Sequence, residues 1–301
     1  MKKGMAGPAG LAILAAVFYA LNAPFSKLLL RDVDPSAMAS LLYLGAGVGM
    51  ALLPLRRGSS KSGSGLTRRD VPYAVAMVVL DIAAPVLLMN GLTRTSPASA
   101  ALLNNFEIVA TSLLALAVFH ERIDRRLWCA IGVVTLASML LSVEDARSLS
   151  FSGGSLLVLL ACVCWGFENN CTRMMSHGDP LYIVVIKGLG SGAGAAAVAL
   201  LSGETMPALR LIPLAMLLGF VSYGLSVYCY VYAQRSLGAA RTSAYYAVAP
   251  FVGVGISFLM FRDRPGPLFL IALTLMLWGS WLLSAEPGKL RRKKANSVNS
   301  K

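Results

Sequence analysis

The chain has 301 residues, of which 56% are apolar and only 14% charged, whereas soluble domains run at roughly 45–50% and about 25%. That balance excludes a soluble globular enzyme, a disordered chain and a disulfide-stapled secreted domain. The net charge of +13 invites a nucleic-acid partner, but the excess gathers in short links and in the tail, where it is a topology signal and not a nucleic-acid footprint.

A helical membrane span needs about 20 apolar residues. Ten such stretches follow one another, at 9–30, 36–55, 71–91, 97–119, 127–144, 153–175, 180–202, 211–233, 239–261 and 267–285. They are uniformly apolar, without strict alternation, and so read as helices and not as barrel strands. Lys2 and Lys3 precede the first stretch and no small-residue cleavage site follows it. It therefore reads as a retained span, not a secretory signal. The link 56–70 is basic and rich in Gly and Ser, and 287–301 reads as a basic, disordered tail. With the N-terminus in the cytoplasm, 19 of the 27 Lys and Arg fall on the cytoplasmic side and six on the other. This bias predicts a multi-pass protein of a bacterial-type inner membrane with both termini inside. Cys129, Cys162, Cys164, Cys171 and Cys229 lie in apolar runs, as buried free cysteines do. His120 and His177 sit at segment ends, so neither a metal site nor a cofactor is expected.

Shifting the first half by 141–146 residues lays it over the second. LAAVFYALNAPFSK (14–27) meets LACVCWGFENNCTR (160–173), Arg94 meets Arg235, and Leu140-Leu141-Ser142 meets Leu282-Leu283-Ser284. Each half then holds five spans, an odd number, so the second must enter the membrane from the opposite side. The predicted fold is an all-α integral membrane protein of ten transmembrane helices in two inverted five-helix repeats. The predicted divisions are 1–146, 147–286 and the cytoplasmic tail 287–301. Inverted repeats are a signature of secondary transporters, whose substrate site lies near the midplane between the halves.

Small residues at 45 and 49, and at 188, 192, 190 and 194, have the G-x-x-x-G spacing of close helix packing. Whether they pack within one chain or between chains is open at this stage. Ala193 breaks a dinucleotide-loop pattern starting at Gly188. Polar groups inside spans point to function, since a charge at a helix centre costs roughly 2.5–3.5 kcal/mol on insertion scales. Trp165, Glu168, Asn169 and Thr172 share one helical face, and Tyr19, Asn22 and Ser26 occupy the repeat-equivalent face of the first span. Asn104, Glu107 and Thr111 share another face, with Tyr246 opposite Asn104 and Tyr245 beside it. Asp81 sits midway along the third span, and Tyr223 lies in the eighth. The candidate substrate-binding set is therefore Tyr19, Asn22, Asn104, Trp165, Glu168, Asn169, Tyr223, Tyr245 and Tyr246. Asp81, Glu107 and Glu168 are candidates for binding an amine or carrying a proton. Glu107 is also a candidate partner for the intramembrane Lys187. No hydrolase signature such as G-x-S-x-G or H-E-x-x-H is present, so no catalytic residue is assigned.

YALNAPFSK (19–27), HERIDRR (120–126), CWGFENNCTR (164–173) and LGAARTSAYYAVAPFVG (237–253) resemble, in order and spacing, the EamA branch of the drug/metabolite transporter superfamily. The resemblance covers the whole chain. It implies export of amino acids, other metabolites or drugs across the bacterial inner membrane, with aromatic-amino-acid exporters as the nearest functional analogy. The family commonly has Glu-Pro where this chain has Glu107-Ile108, and the change removes an obvious kink from the fourth span. The reading is a secondary transporter, not an enzyme. It exports a small amphipathic metabolite, an amino acid first of all, by alternating access. Alternatives are a lipid-linked substrate flippase, a multidrug exporter and, behind them, a membrane enzyme. Its partners are a small-molecule substrate and the bilayer, as monomer or homodimer.

Overall fold

A computed structural model describes residues 7–52, 67–119, 125–145, 150–175, 180–237, 242, 245–262 and 265–284. Most of the 56–70 link, most of HERIDRR, the 146/147 division, parts of the 237–253 motif and the tail lie outside the described residues. The first apolar stretch is two helices, α1 (Pro8–Ala20) and α2 (Asn22–Leu29), parted at Leu21. Then come α3 (Pro35–Leu52), α4 (Val71–Arg94), α5 (Pro97–Leu103), α6 (Phe106–Phe119) and α7 (Arg125–Ser142). A short antiparallel pair, β1 (Val143–Asp145) and β2 (Ser150–Phe151), follows, which the hydropathy pattern does not foresee. The rest is α8 (Gly153–Met174), α9 (Pro180–Leu201), α10 (Leu211–Gly219), a π-helical turn at Phe220–Leu225, α11 (Ser226–Leu237), α12 (Ala249–Phe261) and α13 (Pro267–Ser284). Six stretches are long and apolar enough to cross a bilayer: Pro8–Leu29, Pro35–Leu52, Val71–Arg94, Gly153–Thr172, Leu181–Leu201 and Leu211–Ala233. The protein is a helical, multi-pass membrane protein.

Local chemistry sets the helix starts. Prolines stand in the first turn of α1, α4, α5 and α12, where the missing N–H has no intrahelical partner to lose. Ser96 caps α5 by accepting the Ser99 N–H at 3.1 Å. The fourth stretch departs from expectation. It is interrupted at Asn104–Asn105 although Ile108 replaces the familiar proline. The backbone there tightens to i→i−3 bonds: Asn105 N–H to Leu102 C=O at 3.1 Å, Glu107 N–H to Asn104 C=O at 3.1 Å and Ile108 N–H to Asn105 C=O at 3.2 Å. The Asn105 side-chain amide also donates to Leu102 C=O at 3.0 Å. Side-chain competition for a carbonyl breaks the helix without a proline.

The helices α3 and α9 run antiparallel in close contact. Ser40 Oγ donates to Gly192 C=O at 2.8 Å, and a Cβ at Gly188 would lie 2.5 Å from Gly47 Cα. A Cβ at Gly45 would lie 2.0 Å from Met216 O in α10. The small-residue stretches therefore pack within one chain, and Gly47, between the two glycines of the G-x-x-x-G spacing, is the residue that meets Gly188. At the far end of this pair Glu204 accepts the N–H groups of Ser36 and Ala37 at 3.1 and 2.8 Å. Reciprocally, Asp34 accepts the N–H and hydroxyl of Thr205 at 2.8 and 2.9 Å. Around this pair α4 packs on α8 and α9, α1 on α11 and α12, α3 on α10 and the π turn, α6 on α8, α5 on α12, and α7 on α13.

Replacing Gly188 by Ala forces a methyl into the α3 backbone and is expected to destabilise the protein by about 1–3 kcal/mol. Gly132, with nothing within 4 Å of a Cβ, is the control. Thermal unfolding in detergent should show a clear drop for Gly188→Ala and none for Gly132→Ala.

Candidate functional site

Mid-span polar residues converge where α1, α3, α4, α8, α9 and the π turn meet. Lys187 of α9 sets its ammonium 3.1 Å from Asp81 Oδ2 of α4 and 2.9 Å from Glu168 Oε2 of α8. Both carboxylates are buried, at 0% and 2% side-chain exposure, while Lys187 keeps 27%. Tyr43 of α3 donates its hydroxyl to Asp81 Oδ1 at 3.1 Å and accepts the Trp165 indole N–H at 3.4 Å. Thr172 donates its hydroxyl to Glu168 Oε1. The Lys187 contact to Asp81 Oδ2 is close but poorly directed, and leaves that oxygen without a well-formed hydrogen bond. An ammonium between two carboxylates offsets much of the desolvation of all three, because each charge has a partner within about 3 Å in a weakly screening medium.

Beside this triad lies a ring cluster. Tyr223, in the π turn, meets Tyr43 at 5.0 Å and Tyr19 at 6.2 Å between centroids, the latter edge-on. Tyr19 meets Tyr246 at 5.9 Å, and Tyr246 meets Tyr230 at 5.1 Å. Asn22, buried at the start of α2, donates to Tyr223 Oη at 2.9 Å and accepts from Ser26 at 3.0 Å. Such edge-on and tilted pairs are the favoured arrangements of aromatic quadrupoles. A third group joins α6 to α8: Asn169 donates to Glu107 Oε1 at 2.7 Å and to Thr111 Oγ1 at 3.3 Å. Asn104 faces the Cys162 thiol at 3.9 Å and lines, with Tyr19, Asn22 and Pro250, a small pocket.

Of the sequence-derived candidates, Tyr19, Asn22, Tyr223 and Tyr246 meet in the ring cluster, and Asp81, Trp165 and Glu168 meet around Lys187 and Tyr43. Asn104, Glu107 and Asn169 lie at the α5–α6 and α8 faces. Tyr245 is 40% exposed and makes no ring contact among the described residues. Glu107 takes Asn169 as its partner, and Lys187 takes Asp81 and Glu168, because α9 packs on α4 and brings its lysine to the inward faces of α4 and α8. Sequence reasoning did not single out Tyr43. The available signal was its position, a tyrosine midway along α3, far from either membrane interface where tyrosines usually anchor. Among the described residues no group of three His, Cys, Asp or Glu side chains is placed to hold a metal ion.

Residues 8–143 and 152–285 each match the EamA-like transporter family. The chain is 24% identical over 288 residues to an uncharacterized transporter of Methanothermobacter thermautotrophicus, covering 90% of this chain and 84% of that one. It is 26% identical over 258 residues to the uncharacterized transporter YyaM of Bacillus subtilis, covering 81% and 82%. A solved crystal structure shares the fold with a TM-score of 0.66 at 18% identity, over 91% of this chain and 94% of the other.

The triad yields a stability test. Lys187→Met strands two buried carboxylates and is expected to cost about 3–5 kcal/mol. Adding Glu168→Gln removes one of them and should recover part of that loss, a non-additivity that a double-mutant cycle on detergent unfolding reads directly.

Proposed function

Since the chain belongs to the EamA-like transporter family and is a membrane transporter, we propose that it exports a small amphipathic metabolite across an inner membrane, an amino acid with an aromatic or other apolar side chain first of all. Ten spans in two inverted five-helix halves carry it by alternating access. The packing pattern supports such halves: α4 on α8 corresponds to α11 on α1, α6 on α8 to α12 on α1, and α10 on α3 to α4 on α9, while α3–α9, α5–α12 and α7–α13 map onto themselves. Exchanging the halves reproduces the contacts, and that exchange is the motion alternating access needs.

The observation that carries the substrate reading is the adjacency of the ring cluster to the Asp81–Lys187–Glu168 triad, with both halves contributing. Ring faces accept an apolar side chain or a cation. The carboxylates offer an ammonium, or a proton, an alternative to Lys187. Asn22, Asn104 and Asn169 supply neutral donors and acceptors for orientation.

Counterflow in proteoliposomes tests the reading. Vesicles preloaded with unlabelled amino acids should take up labelled phenylalanine above empty liposomes, and Trp165→Ala and Glu168→Gln should lower the initial rate at least about tenfold, the loss of one strong contact. Absence of exchange with any amino acid, from protein that elutes as a folded species, overturns the amino-acid assignment. Orientation has its own check. A cysteine at Gly63 should resist a membrane-impermeant maleimide in intact cells, whereas one at Ala208 should label.

A further inference from the structure

Tyr43 joins two groups of helices. In one, α4 packs on α8 and α9; in the other, α1 packs on α11, α12 and the π turn. The helix α3 lies against α4 and α9 of the first group and against the π turn of the second. Tyr43 stands midway along α3 and is only 3% exposed. Its hydroxyl faces the first group, donating to Asp81 Oδ1 of α4 at 3.1 Å and accepting the Trp165 indole N–H of α8 at 3.4 Å. Its ring faces the second, 5.0 Å from Tyr223, whose own hydroxyl accepts from Asn22 at 2.9 Å. One side chain thus touches both the ion triad and the ring cluster. The repeat-equivalent pair carries no rings. Where Asp34-Pro35 lies over Asp179-Pro180, Gly188 takes the place of Tyr43, and where Asp81 lies over Ser222, Ile82 takes the place of Tyr223.

The polar groups form a chain, indole N–H to phenol oxygen and phenol O–H to carboxylate, in which each bond polarises the next. The charge on Asp81 strengthens the bond that Tyr43 donates to it, since a bond to an ionised acceptor is roughly twice as strong as a neutral one. The same charge makes the phenol oxygen a better acceptor for Trp165. Because the Lys187 contact to Asp81 is poorly directed, the Tyr43 hydroxyl is the well-formed bond that orients this carboxylate. A proton at Asp81, or an ammonium better directed than that of Lys187, draws on the same charge and weakens both bonds of the chain together. The hydroxyl is then held less firmly, and the ring that bears on Tyr223 gains freedom to move.

We propose that Tyr43 is a positioning residue of the transport cycle. Through its hydroxyl it reads the charge on Asp81, and through its ring it sets Tyr223, so that the arrangement of the ring cluster follows the state of the triad. It acts through Asp81 and Tyr223 and not by holding the solute. Its place in the cycle rests on the transport reading; the link from Asp81 to Trp165 rests on the geometry alone.

Trp165 reports the link. Trp128, Trp278 and Trp281, all exposed, are replaced by Phe to leave it as the only tryptophan. In nanodiscs, Asp81→Asn should move Trp165 emission to shorter wavelength, because an indole whose N–H loses its acceptor emits further to the blue. Tyr43→Phe, which keeps the ring on Tyr223, should produce a like shift, and Asp81→Asn added to it should produce no further one. Tyr43→Leu serves the same purpose if Tyr43→Phe does not fold. In proteoliposomes, Tyr43→Phe should lower the maximal rate of phenylalanine counterflow about tenfold per folded protein and leave half-saturation within about twofold. A tyrosine with a structural role alone moves neither the shared shift nor the rate of protein that has folded. Equal Asp81→Asn shifts with and without the Tyr43 hydroxyl, or no Asp81→Asn shift at all, overturn the proposal. So does a raised half-saturation at unchanged maximal rate, which would make Tyr43 a solute contact. Parent counterflow that Tyr43→Phe leaves unchanged overturns this inference alone, whereas the shared shift without counterflow in the parent overturns the transport reading and leaves the link standing.

Discussion

Lys187 holds its ammonium 3.1 and 2.9 Å from two buried carboxylates, at a depth where a lone charge costs roughly 2.5–3.5 kcal/mol even on the mildest scales. Much of the helix arrangement follows from satisfying that requirement. Asp81, Glu168 and Lys187 belong to three different helices, so α4, α8 and α9 must keep their mutual register. Tyr43 ties α3 to the same carboxylate, and α3 can reach it because α9 approaches at Gly47 and Gly188, where neither helix has a side chain. The glycines and the charges are thus two parts of one constraint. Close backbones permit the ion contacts, and the ion contacts leave little freedom to slide.

The two halves do not carry the same chemistry at equivalent positions. Glu168 aligns with Asn22, Asp81 with Ser222, and Trp165 with Tyr19. The α4–α8 crossing is consequently charged, while the α1–α11 crossing is neutral and aromatic, with Asn22 on Tyr223 and Ser226 Oγ donating to Ala15 C=O at 2.8 Å. A pseudo-symmetric frame with an asymmetric lining combines two needs of a carrier. In the proposed transport cycle the frame would supply two related arrangements of similar packing, and the lining would give a single solute a fixed polarity. Irregular backbone clusters at the same level: the parting at Leu21, the tightened turn at Asn104–Asn105 and the π turn that presents Tyr223. Non-helical backbone at membrane depth is tolerated where protein encloses it, and there it frees polar groups for use.

Hydropathy and charge alone determined that the chain is a bundle of membrane helices. An uninterrupted apolar run of about 20 residues has no other stable form in lipid, and every such run contains helix among the described residues. Helical periodicity also determined that Trp165, Glu168 and Asn169 share a face, and that Tyr19 and Asn22 share another, because those relations need only one helix. Partner choice was beyond its reach. Nothing local distinguishes Glu107 from Asp81 or Glu168 as the mate of Lys187; only the crossing of α9 over α4 and α8 does. Tyr43 looked like a packing residue until that crossing placed its hydroxyl between Asp81 and Trp165. The break at Asn104–Asn105, in the absence of a proline, and the π turn at Tyr223 likewise came from side-chain competition and tertiary packing. Covalent geometry and water-to-lipid transfer act on each segment separately and can be read along the chain. Ion pairing and close approach act between segments distant in sequence, and exist only once the helices have packed.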